Sequence, residues 1–226
     1  MNTLIRLVRE NTVFYIAALV VCSLLGLIIF FHSTSGSFIW LNQYRQPAAT
    51  RLLCNITIAG DGLFSLLAAA VLLFIRQKKL AIIILFSFLL SGIMAQLLKN
   101  LIYAPRPRIF FETIQNDFIT RLLTGSRGGA SSFPSGHTTS AFSLATVLSL
   151  HYRRNAIVLL LIMLASMVGY SRIYLGHHFP LDVLAGAVIG LICATIVILF
   201  FSIKKTKNES ISFDENWDGV KLTLSP

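Results

Sequence analysis

Residues 80–98 read LAIIILFSFLLSGIMAQLL, nineteen positions without a charge, bounded by Lys78 and Lys79 on one side and Lys99 on the other. The apolar residues form a block rather than a stripe along one helical face, which is how a membrane span reads. About 20 such residues carry a helix across the hydrocarbon. The rest of the chain agrees: of 226 residues, 55% are hydrophobic and 12% charged, and the mean hydropathy is +0.76. A soluble domain carries roughly twice that charged share. The sequence therefore predicts an all-α, polytopic membrane bundle.

Working outward from this block, five more candidates appear: Val13–Phe31, Gly60–Ile75, Ser135–Leu150, Ala156–Ile173 and Leu181–Ile203. The expected fold class is a bundle of six transmembrane helices with short interfacial helices. The spans starting at Gly60 and Ser135 are short, and each is expected to begin in the interface, near Asp61 and at Pro134–Ser135 respectively. Arg6 and Arg9 precede the first block, but its apolar run is longer than a signal-peptide core and no A-x-A-like site follows, so a retained anchor is expected. Residues 1–207 are expected to form the membrane domain, and the polar, acidic residues 208–226 a disordered cytoplasmic tail. Two connections are expected to lie along the membrane surface. One holds Trp40, Tyr44 and Pro47; the other places Phe110, Ile114, Phe118 and Leu122 at helical spacing.

Six spans put both termini on one side. Arg6, Arg9, "RQKK" at 76–79, "RR" at 153–154 and "KKTK" at 204–207 share that side, which the positive-inside rule makes cytoplasmic. Opposite lie Arg45, Arg51, Lys99, Arg106, Arg108, Arg121, Arg127 and Arg172, many positive charges for an outer face unless they have another task. The net charge of +10 is read as topology, headgroup or anionic-substrate chemistry, and nucleic acid is set aside. Cys22, Cys54 and Cys193 form no CxxC pair and read as small hydrophobes rather than metal ligands or a disulfide framework.

Three polar clusters interrupt the apolar pattern on the outer side. "KNLIYAPRP" carries Lys99 and Arg106, and "GGASSFPSGH" ends in Ser135, Gly136 and His137. "SRIYLGHHFPLD" carries Ser171, Arg172, His177, His178 and Asp182. Taken singly, each has an ordinary reading: snorkelling anchors, a capped helix, an acid beside a helix dipole. Taken together they are harder to dismiss. Lys99, Arg106 and Arg172 at one depth repel one another unless an anion sits among them, and guanidinium groups bind phosphate bidentately. Pro134 and Ser135 suit a helix start, whose free N–H groups bind phosphate, and Gly136 leaves room for an oxygen. His178 and Asp182 are four apart, so the acid can hold one ring nitrogen and leave the other to attack. Asp182 is the sole carboxylate between Asp117 and Glu209.

In the order K-x6-R-P, P-S-G-H, S-R-x5-H-x3-D, these clusters resemble the signature of the type 2 phosphatidic acid phosphatase superfamily, integral-membrane lipid phosphatases related to vanadium haloperoxidases. Every signature position is filled between Lys99 and Asp182. The x5 and x3 spacings select His178, not His177, as the nucleophile. The resemblance implies a two-step phosphoryl transfer without cofactor or metal. In it His178 forms a phosphohistidine, Asp182 orients it, and His137 acts as acid and then base. Lys99, Arg106, Arg172, Ser135 and Gly136 hold the phosphate.

The implied substrate is a lipid phosphate or pyrophosphate in the outer leaflet of a bacterial cytoplasmic membrane. Undecaprenyl pyrophosphate, phosphatidylglycerol phosphate, phosphatidic acid and lipid A phosphates are candidates. Arg108, Arg121 and Arg127 either read a second phosphate or are plain surface residues. The alternative enzyme is a lipid-to-lipid phosphotransferase with the same intermediate. A transporter or scaffold would place polar residues near mid-span rather than at one edge, and a haloperoxidase would be soluble. The oligomeric state is left open.

Overall fold

The computed structural model describes residues 3–123, 126 and 131–214, with 122 and 203–214 described by their backbone alone. Its helices are α1 Thr3–Glu10, α2 Thr12–Asn42, α3 Pro47–Ile56, α4 Gly62–Phe74, α5 Lys78–Leu101, α6 Pro107–Thr113, α7 Asp117–Leu122, α8 Gly136–Tyr152, α9 Asn155–Tyr174 and α10 Pro180–Asp214. A 3₁₀ turn, Thr57–Gly60, links α3 to α4. Among the described residues the sole β feature is an isolated parallel bridge between Ala104 and Ser131. The architecture is an all-α membrane bundle, as composition required.

Each expected span corresponds to a helix, but they do not all qualify alike. Four helices, α2, α5, α9 and α10 as far as Ser202, are long and apolar enough to cross a membrane. A fifth crossing is possible if Pro47–Gly60 and Gly62–Phe74, bent by 57° at Asp61, act as one broken span. Helix α8 falls short of that test with 17 residues, about 25 Å of rise. The reason is its place in the bundle. It lies inside, against α5, α9, α10 and the 3₁₀ turn, so most of its side chains meet protein rather than lipid. By contrast, α2 buries only Phe14, Ala18, Ser37, Phe38 and Asn42 of its 31 residues.

Close packing around α8 depends on two glycines of α10. A Cβ on Gly186 would stand 2.6 Å from the carbonyl oxygen of Ser135, and one on Gly190 would stand 2.5 Å from that of Thr139. Small residues four apart let two membrane helices approach at backbone distance, where hydroxyls and dispersion contacts hold them. The buried hydroxyls of Thr139 and Thr146 are satisfied within α8 by the carbonyls of Ser135 and Phe142. Side-chain packing then fills the rest: Ala69, Leu72, Ile84, Leu144 and Val147 form one buried cluster between α4, α5 and α8.

Both surface connections differ from expectation in form. Helix α2 runs beyond the expected span to Asn42, broken at Ser33 (φ 61°, ψ 174°), and His32 stacks on Trp40 across the break. Arg45 then donates to the Tyr174 carbonyl and lies over its ring, while the Tyr174 hydroxyl bonds Gln46. That clamp gives one of the arginines expected on the outer side a structural task. The stretch 109–122 is two short helices rather than one, divided where Gln115 adopts φ 53°. Phe110 and Phe111 turn inward onto Phe179, whereas Ile114 and Phe118 stay exposed. The side chain of Leu122 lies outside the described residues. Helix α10 continues to Asp214, so the first residues of the expected tail are helical; 215–226 lie outside the description.

Candidate active site

The antiparallel order of the helices brings the last turns of α5 and α9 to the same end as the first turns of α8 and α10. Lys99 sits in the last turn of α5 and Arg172 in that of α9. Arg106 is the N-cap residue of α6, Ser135 that of α8, and Asp182 lies in the first turn of α10. All three sequence clusters therefore meet at one end.

Backbone bonds then lock them together. The Ser135 N–H donates to the Asp182 carbonyl at 2.9 Å, joining the heads of α8 and α10. Arg106 donates from Nη1 to the His177 carbonyl at 3.0 Å. The Ser132 N–H donates to the Ala104 carbonyl at 2.9 Å, joining the approach to α8 with the loop before α6. The Arg172 carbonyl accepts the N–H groups of His177 (3.0 Å) and His178 (3.2 Å), shaping the turn that presents them. The 3₁₀ turn closes one side: Thr57 accepts Nη1 of Arg172 at 2.8 Å, and a Cβ on Gly60 would meet the His137 carbonyl oxygen at 2.8 Å.

His178 and Asp182 are almost fully enclosed, at 3% and 4% exposure. Nδ1 of His178 faces Oδ2 of Asp182 at 3.6 Å. That oxygen also accepts the Phe179 N–H at 2.8 Å and the Ser132 hydroxyl at 2.5 Å. Burial pushes the His178 imidazole below its ordinary value near 6.5; Asp182 opposes that shift, and the guanidinium groups of Arg106 and Arg172 reinforce it. The ring is held neutral, the form whose free nitrogen can attack an electrophile.

The surroundings favour an anion. Arg172 is buried at 4% exposure, and Lys99 is close enough to feel Arg106, Arg172 and Asp182 together. Three cations around one carboxylate leave excess positive charge that a phosphate would neutralise. A Cβ added to Gly136 would meet nothing within 4 Å, so the head of α8 opens onto free space where an oxygen can approach. Among the described residues no group of three His, Cys, Asp or Glu side chains could hold a metal ion.

Some expectations need correction. Ser135 stands at the N-cap of α8 but makes no side-chain cap; its buried hydroxyl accepts that of Thr138 at 2.9 Å instead. The helix itself starts at Gly136, directly after Ser135. Arg108 is paired with Glu112 at 2.8 Å and also reaches the Ser126 carbonyl, which gives its charge an internal partner. Arg121 lies exposed on α7, and Arg127 falls outside the described residues. Sequence reasoning missed Ser132 and Thr57. Neither carried a local signal: Ser132 is one small polar residue among several in "SSFPSGH", and Thr57 lies far from the three clusters along the chain.

Comparison with known proteins supports the site's kinship. The PAP2 superfamily model matches residues 80–205, which contain all three clusters. A lipid A 4'-phosphatase of Porphyromonas gingivalis is 34% identical over 163 residues, covering 71% of this chain and 69% of its own. The undecaprenyl-diphosphatase BcrC of Bacillus subtilis is 34% identical over 112 residues, 50% of this chain and 52% of that one. The crystal structure of Aquifex aeolicus LpxE superposes with a TM-score of 0.61 at 32% identity, covering 71% of this chain and 92% of its own. A match over residues 80–205 of 226, with similarity in both sequence and fold to solved and curated members, shows that the chain belongs to the PAP2 superfamily.

Proposed function

We propose that this protein is an integral-membrane lipid phosphatase that hydrolyses phosphate or pyrophosphate monoesters of lipids through a phosphohistidine on His178. One observation carries the reading: a buried, neutral histidine braced by a carboxylate stands beside Arg106 and Arg172, with Lys99 close to both arginines and to that carboxylate. Lys99, Arg106, Arg172 and the N–H groups at the head of α8 hold the phosphoryl oxygens. Nε2 of His178 attacks phosphorus in line, and the bond from phosphorus to the lipid oxygen breaks. His137 protonates that leaving oxygen, then takes a proton from water, which attacks phosphorus and releases phosphate from the imidazole. Charge on the transferring group is spread over its oxygens, so fixed cations stabilise it most where it is greatest. That cationic donor set repels a divalent ion, and the proposed reaction uses none.

We place the site on the extracytoplasmic side of a cytoplasmic membrane, with the termini cytoplasmic. Five of the eight cations expected on the outer side have another task. Lys99, Arg106 and Arg172 serve the site, Arg45 holds Tyr174, and Arg108 pairs with Glu112. The activities named for the relatives, on lipid A and on undecaprenyl diphosphate, support a lipid phosphate or pyrophosphate as substrate.

The test is phosphate release by purified protein in detergent, with excess EDTA, across a panel of lipid phosphates and pyrophosphates. Release without an acceptor lipid is expected for at least one. No release until a second lipid is added would make the enzyme a phosphotransferase, and a loss in EDTA restored by Mg²⁺ would overturn the metal-free reading.

A further inference from the structure

We infer that Ser132 is a positioning residue for this phosphoryl transfer: its buried hydroxyl holds the Asp182 carboxylate in place against the nucleophilic histidine. The inference rests on the phosphohistidine reading and adds a residue outside the three motifs.

Ser132 is fully enclosed, on the approach to α8. Its hydroxyl donates to Oδ2 of Asp182 at 2.5 Å and stands 3.5 Å from Nδ1 of His178. The Asp182–His178 contact is longer, at 3.6 Å. The carboxylate is therefore not placed by the imidazole it serves. Two donors pin one oxygen from separate segments: Ser132 ahead of α8 and the Phe179 N–H at the head of α10. A carboxylate so held cannot rotate away when the imidazole becomes charged. A hydroxyl has one proton to give and lone pairs to spare, so it can donate to Oδ2 and accept from Nδ1–H together. When Nε2 carries the phosphoryl group, the positive charge behind it then meets Oδ2 and Oγ at similar distances. Ser132 transfers no proton in the cycle.

The backbone of Ser132 extends the argument. Its N–H is bonded to Ala104, two residues before Arg106, so one residue ties the loop of a phosphate-binding arginine to the nucleophile's partner. Charged groups acting on His178 come from three elements, Asp182 from α10, Arg172 from α9 and Arg106 from the head of α6; Lys99 on α5 acts on Asp182 and both arginines, His177 is adjacent in sequence, and His137 lies in the first turn of α8. The substitution Ser132→Ala leaves all of them in place. It alters only how far the negative charge of Asp182 is shared with a hydroxyl.

The experiment measures kcat, KM and the pH profile of Ser132→Ala, Ser132→Thr and Ser132→Cys beside His178→Ala. For Ser132→Ala, kcat is expected to fall about tenfold to a hundredfold, the scale of a misplaced reacting group, with KM changed little. Its acid limb of kcat/KM should move to higher pH, because an unshared carboxylate charge favours protonated His178. Ser132→Thr keeps the hydroxyl and should restore most of both. If the alanine variant does not fold, Ser132→Cys, a weaker donor, should show a smaller shift in the same direction. Wild-type kcat and an unmoved acid limb in Ser132→Ala would overturn the inference. So would equal impairment of the alanine and threonine variants with no shift, which would mean volume rather than hydrogen bonding. Continued turnover by His178→Ala would instead remove the phosphohistidine reading itself.

Discussion

At the end of the bundle away from the site, Arg153 meets Glu10 at 2.9 Å and Arg6 approaches the same carboxylate at 3.9 Å, with side chains roughly half exposed. At the site end, Arg172, His178 and Asp182 are each at least nine-tenths buried. The residue types are alike, and the surroundings are opposite. Exposed pairs of the first kind contribute about 0–1 kcal/mol. Buried charges persist only where they are paired and hydrogen-bonded, as Asp182 is by Ser132 and Phe179 and Arg172 is by Thr57. Perturbed groups gathered in this way are the mark of a reactive site, so burial rather than charge separates the two ends.

The comparison breaks most readily at the proposed nucleophile. His178→Ala should reduce phosphate release to background, at least about a thousandfold, while thermal stability in detergent changes modestly; substantial residual turnover would make the site end ordinary. Next is the packing that assembles that end. Gly190→Ala would drive a Cβ into the backbone of α8, 2.5 Å from the Thr139 oxygen and 2.9 Å from the Ser143 nitrogen. A loss of about 1–3 kcal/mol is expected from such overpacking, read as a lower melting temperature with activity falling alongside. An unchanged melting temperature would show that α8 and α10 are not held as closely as described.

Arg106→Ala should lower kcat/KM about tenfold or more, with Arg106→Lys recovering part; equal values in all three would remove Arg106 from phosphate binding. The pH profile sharpens the contrast further. In the proposed reaction His178 attacks as the neutral imidazole, and burial lowers its pKa from 6.5, so the neutral form persists as pH falls below that value. Activity should therefore hold until clearly below pH 6.5 and decline only on further acidification; an acid limb at or above it would place the ring in a solvated setting. Smallest of all, Glu10→Gln at the opposite end should change stability by under about 1 kcal/mol and leave turnover unaltered.

Much of this was legible in sequence because membrane spans and catalytic motifs are local signals. The block at 80–98 became α5 within a few residues at either end, and the spacing of His178 and Asp182 put the one in the bend before α10 and the other in its first turn. What the sequence could not show was contact between distant segments. Ser132 lies 46 residues from His178 and 50 from Asp182, and nothing local marks its hydroxyl as their partner. The division of 109–122 into two helices was likewise hidden, because an apolar stripe at helical spacing does not reveal a left-handed residue at Gln115.

By itself, the sequence determined the solvent, the helical class and the candidates for the reacting groups, since hydrophobicity and residue chemistry belong to each residue wherever it lies. Only the tertiary structure decided which charges are buried and which oxygen holds which ring. Those depend on backbones meeting at Gly186 and Gly190, where the absence of two side chains lets α8 reach α10.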